Sequence, residues 1–322
     1  MKTKFLLQMA IALVAISCSE NVDTISPVAE SYVNEIMDVM EKNAINRNTI
    51  DWPAVRTKAI QLAGTAKTIK ETYASITFAL GSLNDNHSFY KAVDGTYLYN
   101  QATGCNVSSP PNAEVPANVG YLRIPGFSGF SSTAETDAFA LSLQTMIKNQ
   151  DSPALIGWVV DLRGNTGGNM WPMLSGVGPI LGEGLAGHFI YPDNTVNTYS
   201  YQNGAAILDG TVLSSVPNFY TVIKPNPKVA VLIDGGTVSS GEAITIAFIG
   251  RANTRLFGMG PTCGKSTANA VFTLSNGALL VLTTSVMADR NKNKFGNTIP
   301  PDETGFGGQS GAVKAAIDWL QK

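Results

Sequence analysis

The chain predicts an α/β fold with a helical subdomain at its N-terminal side. Three observations carry that expectation. Ile156 to Leu162, apolar up to Asp161, and Val229 to Ile233 are apolar runs, as expected of strands buried on both faces. Each is followed by a Gly-containing turn and then a helical period, the alternation of an α/β core. Ahead of them, residues 28–83 carry helical periods.

The elements follow in order. Val28 to Asn43 places Val28, Tyr32, Ile36, Val39 and Met40 at helical spacing. Asp51 is an N-cap with Pro53 in the first turn, which predicts a helix over about 53–63. A third helix is expected over about 67–83, with Ile69, Tyr73, Ile76, Phe78 and Leu80 inward. Leu83 to Phe89 reads as a polar turn opening into a strand, and residues 100–117 as a loop. Gly120 to Ile124 is a short strand and Thr136 to Asn149 an amphipathic helix. After the strand ending at Asp161, Arg163 to Asn169 is a Gly-rich turn and Met170 to Leu181 a helix. Residues 183–222 hold weak strands and turns. A helix begins near Glu242, Arg255 to Phe257 is a short strand, and Asn269 to Met287 contains a hairpin turning at Ser275-Asn276-Gly277. Val313 to Gln321 closes as a helix.

Composition bounds the function. The 322 residues suffice for one large domain, and a net charge of −2 gives no basic field for nucleic acid. Residues 1–17 read as a signal segment: Lys2 and Lys4, then an apolar run from Phe5 to Ile16, short of the roughly 20 residues that span a bilayer. Ala15-Ile16-Ser17 before Cys18 is similar to a lipobox, which makes Cys18 a candidate lipidation site; an ordinary cleaved signal is the alternative. Residues 18–27 then form a tether, and a lipid anchor is the only membrane attachment expected, with the outer membrane the better destination. Cys105 and Cys263 can pair in an oxidising compartment or stand as two buried thiols. No cysteine–histidine spacing suits a metal, and no cofactor is implied.

The residues that can carry chemistry cluster late in the chain. Ser239 and Ser240 lie between a buried strand and a helix, where free N–H groups and the helix dipole stabilise an oxyanion. A simple helix cap is the plain alternative. Gly164, Gly167 and Gly168 form a second glycine-rich turn that can complete an oxyanion hole. It lacks the spacing of the known phosphate-binding loops. Lys265, if buried, has a lowered pKa and can serve as base. His87 competes, because it titrates near neutrality unaided, and His188 reads as structural.

Taken in order, six segments make the chain resemble the S41 serine peptidases, which include the C-terminal processing (tail-specific) and tricorn-core-like proteases. They are Leu83 to Phe89, Gly120 to Ile124, Asp161 to Gly168, Thr237 to Glu242, Gly258 to Lys265 and Gly296 to Asp302. The resemblance implies a crotonase- or ClpP-like core of ββα units over residues 91–322, behind a helical subdomain over 28–90. It maps the nucleophile to Ser239, three positions before Glu242, with Ser240 the fallback. It maps the base of the processing branch to Lys265 and that of the tricorn-like branch to His87. Gly167, Gly168 and the N–H of Ser240 would form the oxyanion hole. Two departures stand out. Only 30 residues separate Tyr90 from Tyr121, too few for the PDZ domain of the processing proteases. No glutamate lies between Arg290 and Pro301 to orient His87. The implied activity is an envelope serine endopeptidase acting on a protein or peptide through an acyl-enzyme. The alternatives are a non-proteolytic binder on the same fold, similar to the retinoid-binding repeats of the eye, and an ester hydrolase.

Overall fold

The computed structural model describes residues 24–100, 104, 105, 107, 110–129, 133–305 and 307–322. The signal segment and Cys18 fall outside the described residues.

Three helices open the chain: α1 (Pro27–Asn43), α2 (Trp52–Ala63) and α3 (Tyr73–Ser82). Ser26 and Asp51 cap the first two, each accepting a backbone N–H three residues on, and each helix starts with proline in its first turn. The third was expected from about residue 67. It starts at Tyr73 instead, after a 3-10 turn over Lys70–Thr72. There the Glu71 carboxylate accepts from the N–H groups of Lys67 and Thr68, which competes with a continuous α-helix.

Then come β1 (Phe89–Lys91), β2 (Tyr97–Tyr99), β3 (Val119–Arg123), α4 (Thr133–Gln150), β4 (Gly157–Asp161) and α5 (Met170–Leu181). Four antiparallel strands follow, β5 (Gly184–Ile190), β6 (Val196–Gln202), β7 (Ala205–Leu208) and β8 (Thr211–Ser215). The chain closes with β9 (Lys228–Ile233), α6 (Ser240–Phe248), β10 (Thr254–Gly258), β11 (Thr267–Thr273), β12 (Leu279–Ala288), β13 (Glu303–Thr304) and α7 (Gln309–Leu320).

The strands form two sheets. One is parallel, in the order β13-β10-β9-β4-β3. Its interior strand β4, between β9 and β3, is buried along its whole length, which is why its sequence is a run without alternation. The other is antiparallel, in the order β2-β1-β12-β5-β6-β7-β8, with β11 paired to β12. The main core joins side chains of β3, β4 and β9 to those of α4, α5 and α6, and these to β5, β6 and β7. Ala316 and Leu320 of α7 cover the opposite face of the parallel sheet, against Val159, Ala230 and Leu232.

The helical subdomain rests on the antiparallel sheet. Tyr32, Ile36, Met37 and Met40 of α1 share a core with Tyr90, Leu280 and Leu282. The α/β class is therefore as expected. The boundary drawn at residue 90 falls inside β1, a strand that pairs with β12 near the far end of the chain.

Because Leu280 is fully buried beneath these helices whereas Val271 of β11 is 51 % exposed, truncation should separate them. Leu280→Ala is expected to lose about 2–5 kcal/mol in denaturant unfolding. Val271→Ala is expected to lose under about 1 kcal/mol.

Candidate active site

The site is assembled where the ends of β4 and β9 meet the loop before β11. Past β9, Asp234 accepts the N–H groups of Gly164 (3.0 Å) and Gly236 (2.9 Å), lacing this turn to the one after β4. Thr237 donates its hydroxyl to Leu162 O at 2.9 Å, and Val238 N donates to Asn165 O at 2.8 Å. The chain then turns sharply at Ser239, whose φ of 54° and ψ of −110° depart from the conformations ordinary residues prefer. Ser239 is partly exposed, and α6 begins at the next residue.

Glu242 holds that turn. It lies on α6, fully buried, and its carboxylate accepts four hydrogen bonds. The N–H of Ser239 (2.8 Å) and the N–H of Lys265 (2.8 Å) share Oε2. The N–H of Gly264 (3.0 Å) and the hydroxyl of Thr262 (2.6 Å) share Oε1. Burial pushes this carboxyl above its ordinary pKa, and the four donors pull the other way. The loop over residues 262–266 is fixed further by Cys263 N donating to Thr237 O, and by Thr262 and Ile299 bonding each other. The Gly296 to Asp302 segment thus acts as a backing strip for the loop. The same loop is tied by a disulfide between Cys105 and Cys263, which resolves the two readings of those cysteines in favour of pairing.

The two serines behave differently. Ser240 is buried and donates its hydroxyl to Gly168 O at 2.6 Å, so the fallback serine has its hydroxyl engaged. Gly167 has φ +87°, and a Cβ there would lie 2.9 Å from the Ser239 Cβ and 3.2 Å from Ser240 N. Gly168 approaches Phe127 O so closely that no side chain fits. Gly167 spends its own N–H on Asn165 Oδ1 (2.9 Å), so its contribution is space and not the donor expected of it. Among the described residues, nothing accepts from the N–H of Gly168 or of Ser240.

His87 arrives from the other sheet, in the turn before β1. Asp85 Oδ1 shapes that turn by accepting the N–H groups of His87 (2.9 Å) and Ser88 (2.7 Å). Ring nitrogen Nδ1 is 2.9 Å from Thr267 Oγ1, and Asn269 donates to His87 O at 3.0 Å. Burial, and then the nearby Lys265 ammonium, hold the imidazole pKa well below its ordinary value. Lys265 is lowered too, by burial, against the raising influence of Glu242 and Asp85. Lys265 is thus close enough to His87 for its charge to act on the ring, and Lys265 is joined to Ser239 through Glu242. A cleft of about 560 Å³ opens beside them, lined by Asn46, Asn84, Asp85, Gly264, Thr267 and Asn297. His188 is buried between β6 and β12, away from this group.

Thr267, Asp85 and Asn165 took no part in the sequence-based site. They act through hydrogen bonds to residues distant in the chain and through local turns, and the partners of such bonds are not marked in the sequence. Among the described residues there is no group of three or more His, Cys, Asp or Glu able to hold a metal ion.

A positive-φ serine at a strand-to-helix turn, flanked by free N–H groups and a glycine-rich loop, defines a protein with the framework of an α/β serine hydrolase. The chain belongs to peptidase family S41, whose model matches residues 118–304. It is 28% identical over 302 residues to the nisin-resistance protein of Lactococcus lactis subsp. lactis, covering 94% of this chain and 90% of that one. Among solved structures it is similar to a lipoprotein from Streptococcus agalactiae, with TM-score 0.72 and 22% identity over 97% of this chain and 99% of that one. It is also similar to the photosystem II D1 C-terminal processing protease, with TM-score 0.55 and 15% identity over 91% and 98% of the two chains. These two likenesses are of fold.

Glu242→Ala leaves the buried Gly264 N–H and Thr262 hydroxyl and the part-buried N–H groups of Ser239 and Lys265 without their acceptor, each buried one costing about 1–3 kcal/mol. The variant is expected to lose at least about 3 kcal/mol in denaturant unfolding. Glu242→Gln, which keeps an acceptor oxygen, is expected to lose less.

Proposed function

We propose that this protein is a cell-envelope serine endopeptidase that hydrolyses peptide bonds through an acyl-enzyme on Ser239. One observation carries the reading: Ser239 is held at a positive φ with its N–H locked to a buried carboxylate, while the neighbouring Ser240 hydroxyl is already bonded. In this reading Ser239 Oγ attacks the substrate carbonyl, and the N–H groups of Gly168 and Ser240 receive the oxyanion. The serine proton passes to a base, and that base returns it to the leaving amine as the tetrahedral intermediate collapses. Water then hydrolyses the ester, assisted by the same base.

His87 suits the base. In the tautomer in which Nδ1 donates to Thr267, Nε2 is left with a lone pair, and burial keeps the ring neutral at physiological pH. Thr267 replaces the orienting carboxylate that the sequence lacks. Lys265 is the second reading, favoured by its lowered pKa and by the Glu242 oxygen that its N–H shares with Ser239.

An envelope setting is supported by the signal-like segment before Cys18, by the Cys105–Cys263 disulfide and by the fold shared with a streptococcal lipoprotein. Lipid anchoring through Cys18 belongs to the same reading. The similarity to a nisin-resistance protein supports a peptide met at the cell surface as substrate, and nisin is the first peptide to try.

The test is cleavage of casein and of nisin, followed by mass spectrometry. Ser239→Ala is expected to lose at least about 1000-fold in kcat/KM, with its melting temperature kept. Full retention would refute the assignment. Binding without cleavage by wild type would favour the non-proteolytic alternative.

The pH profile separates the two bases. The folded-state pKa of His87 lies below its unfolded value near 6.5. A His87 base is therefore competent throughout neutral pH, and the acid limb of kcat/KM should lie below about pH 6.5. The stability gained by burying the neutral ring is likewise present above about pH 6.5 and lost as pH falls. A limb above neutrality, with activity lost in Lys265→Ala and kept in His87→Ala, would assign the base to Lys265.

A further inference from the structure

The antiparallel sheet has an open edge that starts at the active-site loop. β11 pairs with β12 on one side, and among the described residues no strand pairs with its other side. None of its residues is buried, whereas Leu280 and Leu282 of β12 are fully buried. It follows directly on Gly264, Lys265 and Ser266, and its first residue is the Thr267 that touches His87.

An unpaired edge is a liability, and proteins guard such edges with charge, proline, extreme shortness or cover. The β11 sequence, Thr-Ala-Asn-Ala-Val-Phe-Thr, holds no charge and no proline, and runs seven residues. Its pairing shifts register once, between Ala268 and Asn269 next to the site, where the extra residue is Thr284 of β12, and among the described residues β11 itself carries no such guard. The strand is also held firmly. At the hairpin tip, Glu35 of α1 accepts from the N–H and the hydroxyl of Ser275, and Tyr32 donates to Asn276 Oδ1. The helical subdomain thereby braces the hairpin. An edge that is unguarded among the described residues, braced and continuous with the catalytic loop suits the pairing of an added strand.

We propose that the free edge of β11 is the docking rail for substrate, which adds to it as an extended peptide strand and is thereby led to Ser239. This rests on the peptidase reading and deepens it by naming the substrate class: unfolded or loosely folded peptide segments, recognised first through their backbone. Main-chain hydrogen bonds then supply affinity, and side chains meeting the exposed Val271 supply preference.

Neighbouring residues on a strand point their N–H groups to opposite sides, so proline at 270 and at 271 act differently. One removes a ladder bond to β12 and destabilises the hairpin. The other removes a donor from the free edge alone. Binding of fluorescein-labelled casein is measured on the full chain carrying Ser239→Ala, alone and combined with Ala270→Pro or Val271→Pro. The proline that leaves the melting temperature nearly unchanged is expected to weaken binding about threefold to tenfold, the loss of one hydrogen bond. A second measurement needs no proline. Short casein peptides that bind are N-methylated one backbone nitrogen at a time, and affinity is expected to fall at alternate positions. Indifference to both prolines and to N-methylation overturns the proposal, as does no binding of casein at all. A dimer in sedimentation that the free-edge proline dissociates overturns it as well, because a second copy is then the occupant. Cleavage by the Ser239→Ala form would sink the catalytic reading instead, while the binding series still decides the role of the edge.

Discussion

One buried carboxylate holds the site together. Glu242 accepts from the N–H groups of Ser239, Gly264 and Lys265 and from the hydroxyl of Thr262, and so joins the turn after β9 to the loop before β11. A charge placed fully inside a protein is costly unless its oxygens are met by donors. Here each oxygen has two. The same bonds hold Ser239 in a conformation that an ordinary residue avoids. Strain at the serine and burial of the glutamate are two sides of one constraint: the donors that make the carboxylate tolerable are those that shape the turn.

The rest of the architecture supplies the parts that Glu242 connects. Parallel strands β4 and β9 deliver two glycine-bearing turns side by side, laced by Asp234 and Asn165. The antiparallel sheet delivers His87 and Thr267 from strands far apart in sequence. The helical subdomain packs beneath β1 and β12, so its stability bears on the position of His87 even though none of its helices carries a catalytic candidate. The Cys105–Cys263 disulfide joins the segment after β2 to the loop of Lys265, a further tie on that loop.

Much of this was legible in the sequence, and the part that was not has a physical reason. Met170–Leu181 and the strands ending at Asp161 and Ile233 emerge where their apolar runs predict, because burial on both sides leaves an unambiguous pattern. Ser239 was legible through its turn and its spacing to Glu242. The strands over 183–222 read only as weak, since β6 and β8 alternate poorly and owe their pairing to partners across the sheet. The bond between Thr267 and His87 spans 180 residues and depends on the register of β11 with β12, which no local signal encodes. Gly167 shows the opposite error. Its glycine was legible and its role was misjudged, because whether its N–H is free depends on the Asn165 side chain.

The central claim is that the Glu242-held turn makes Ser239, and no other hydroxyl, a nucleophile. The most direct measurement is intact-protein mass spectrometry after treatment with an alkyl fluorophosphonate, with the modified residue located by peptide mapping. The account predicts a single adduct on Ser239, abolished in Ser239→Ala and slowed in Glu242→Gln. A wild-type chain that stays unmodified, or carries its adduct on Ser240 or another serine, would contradict it.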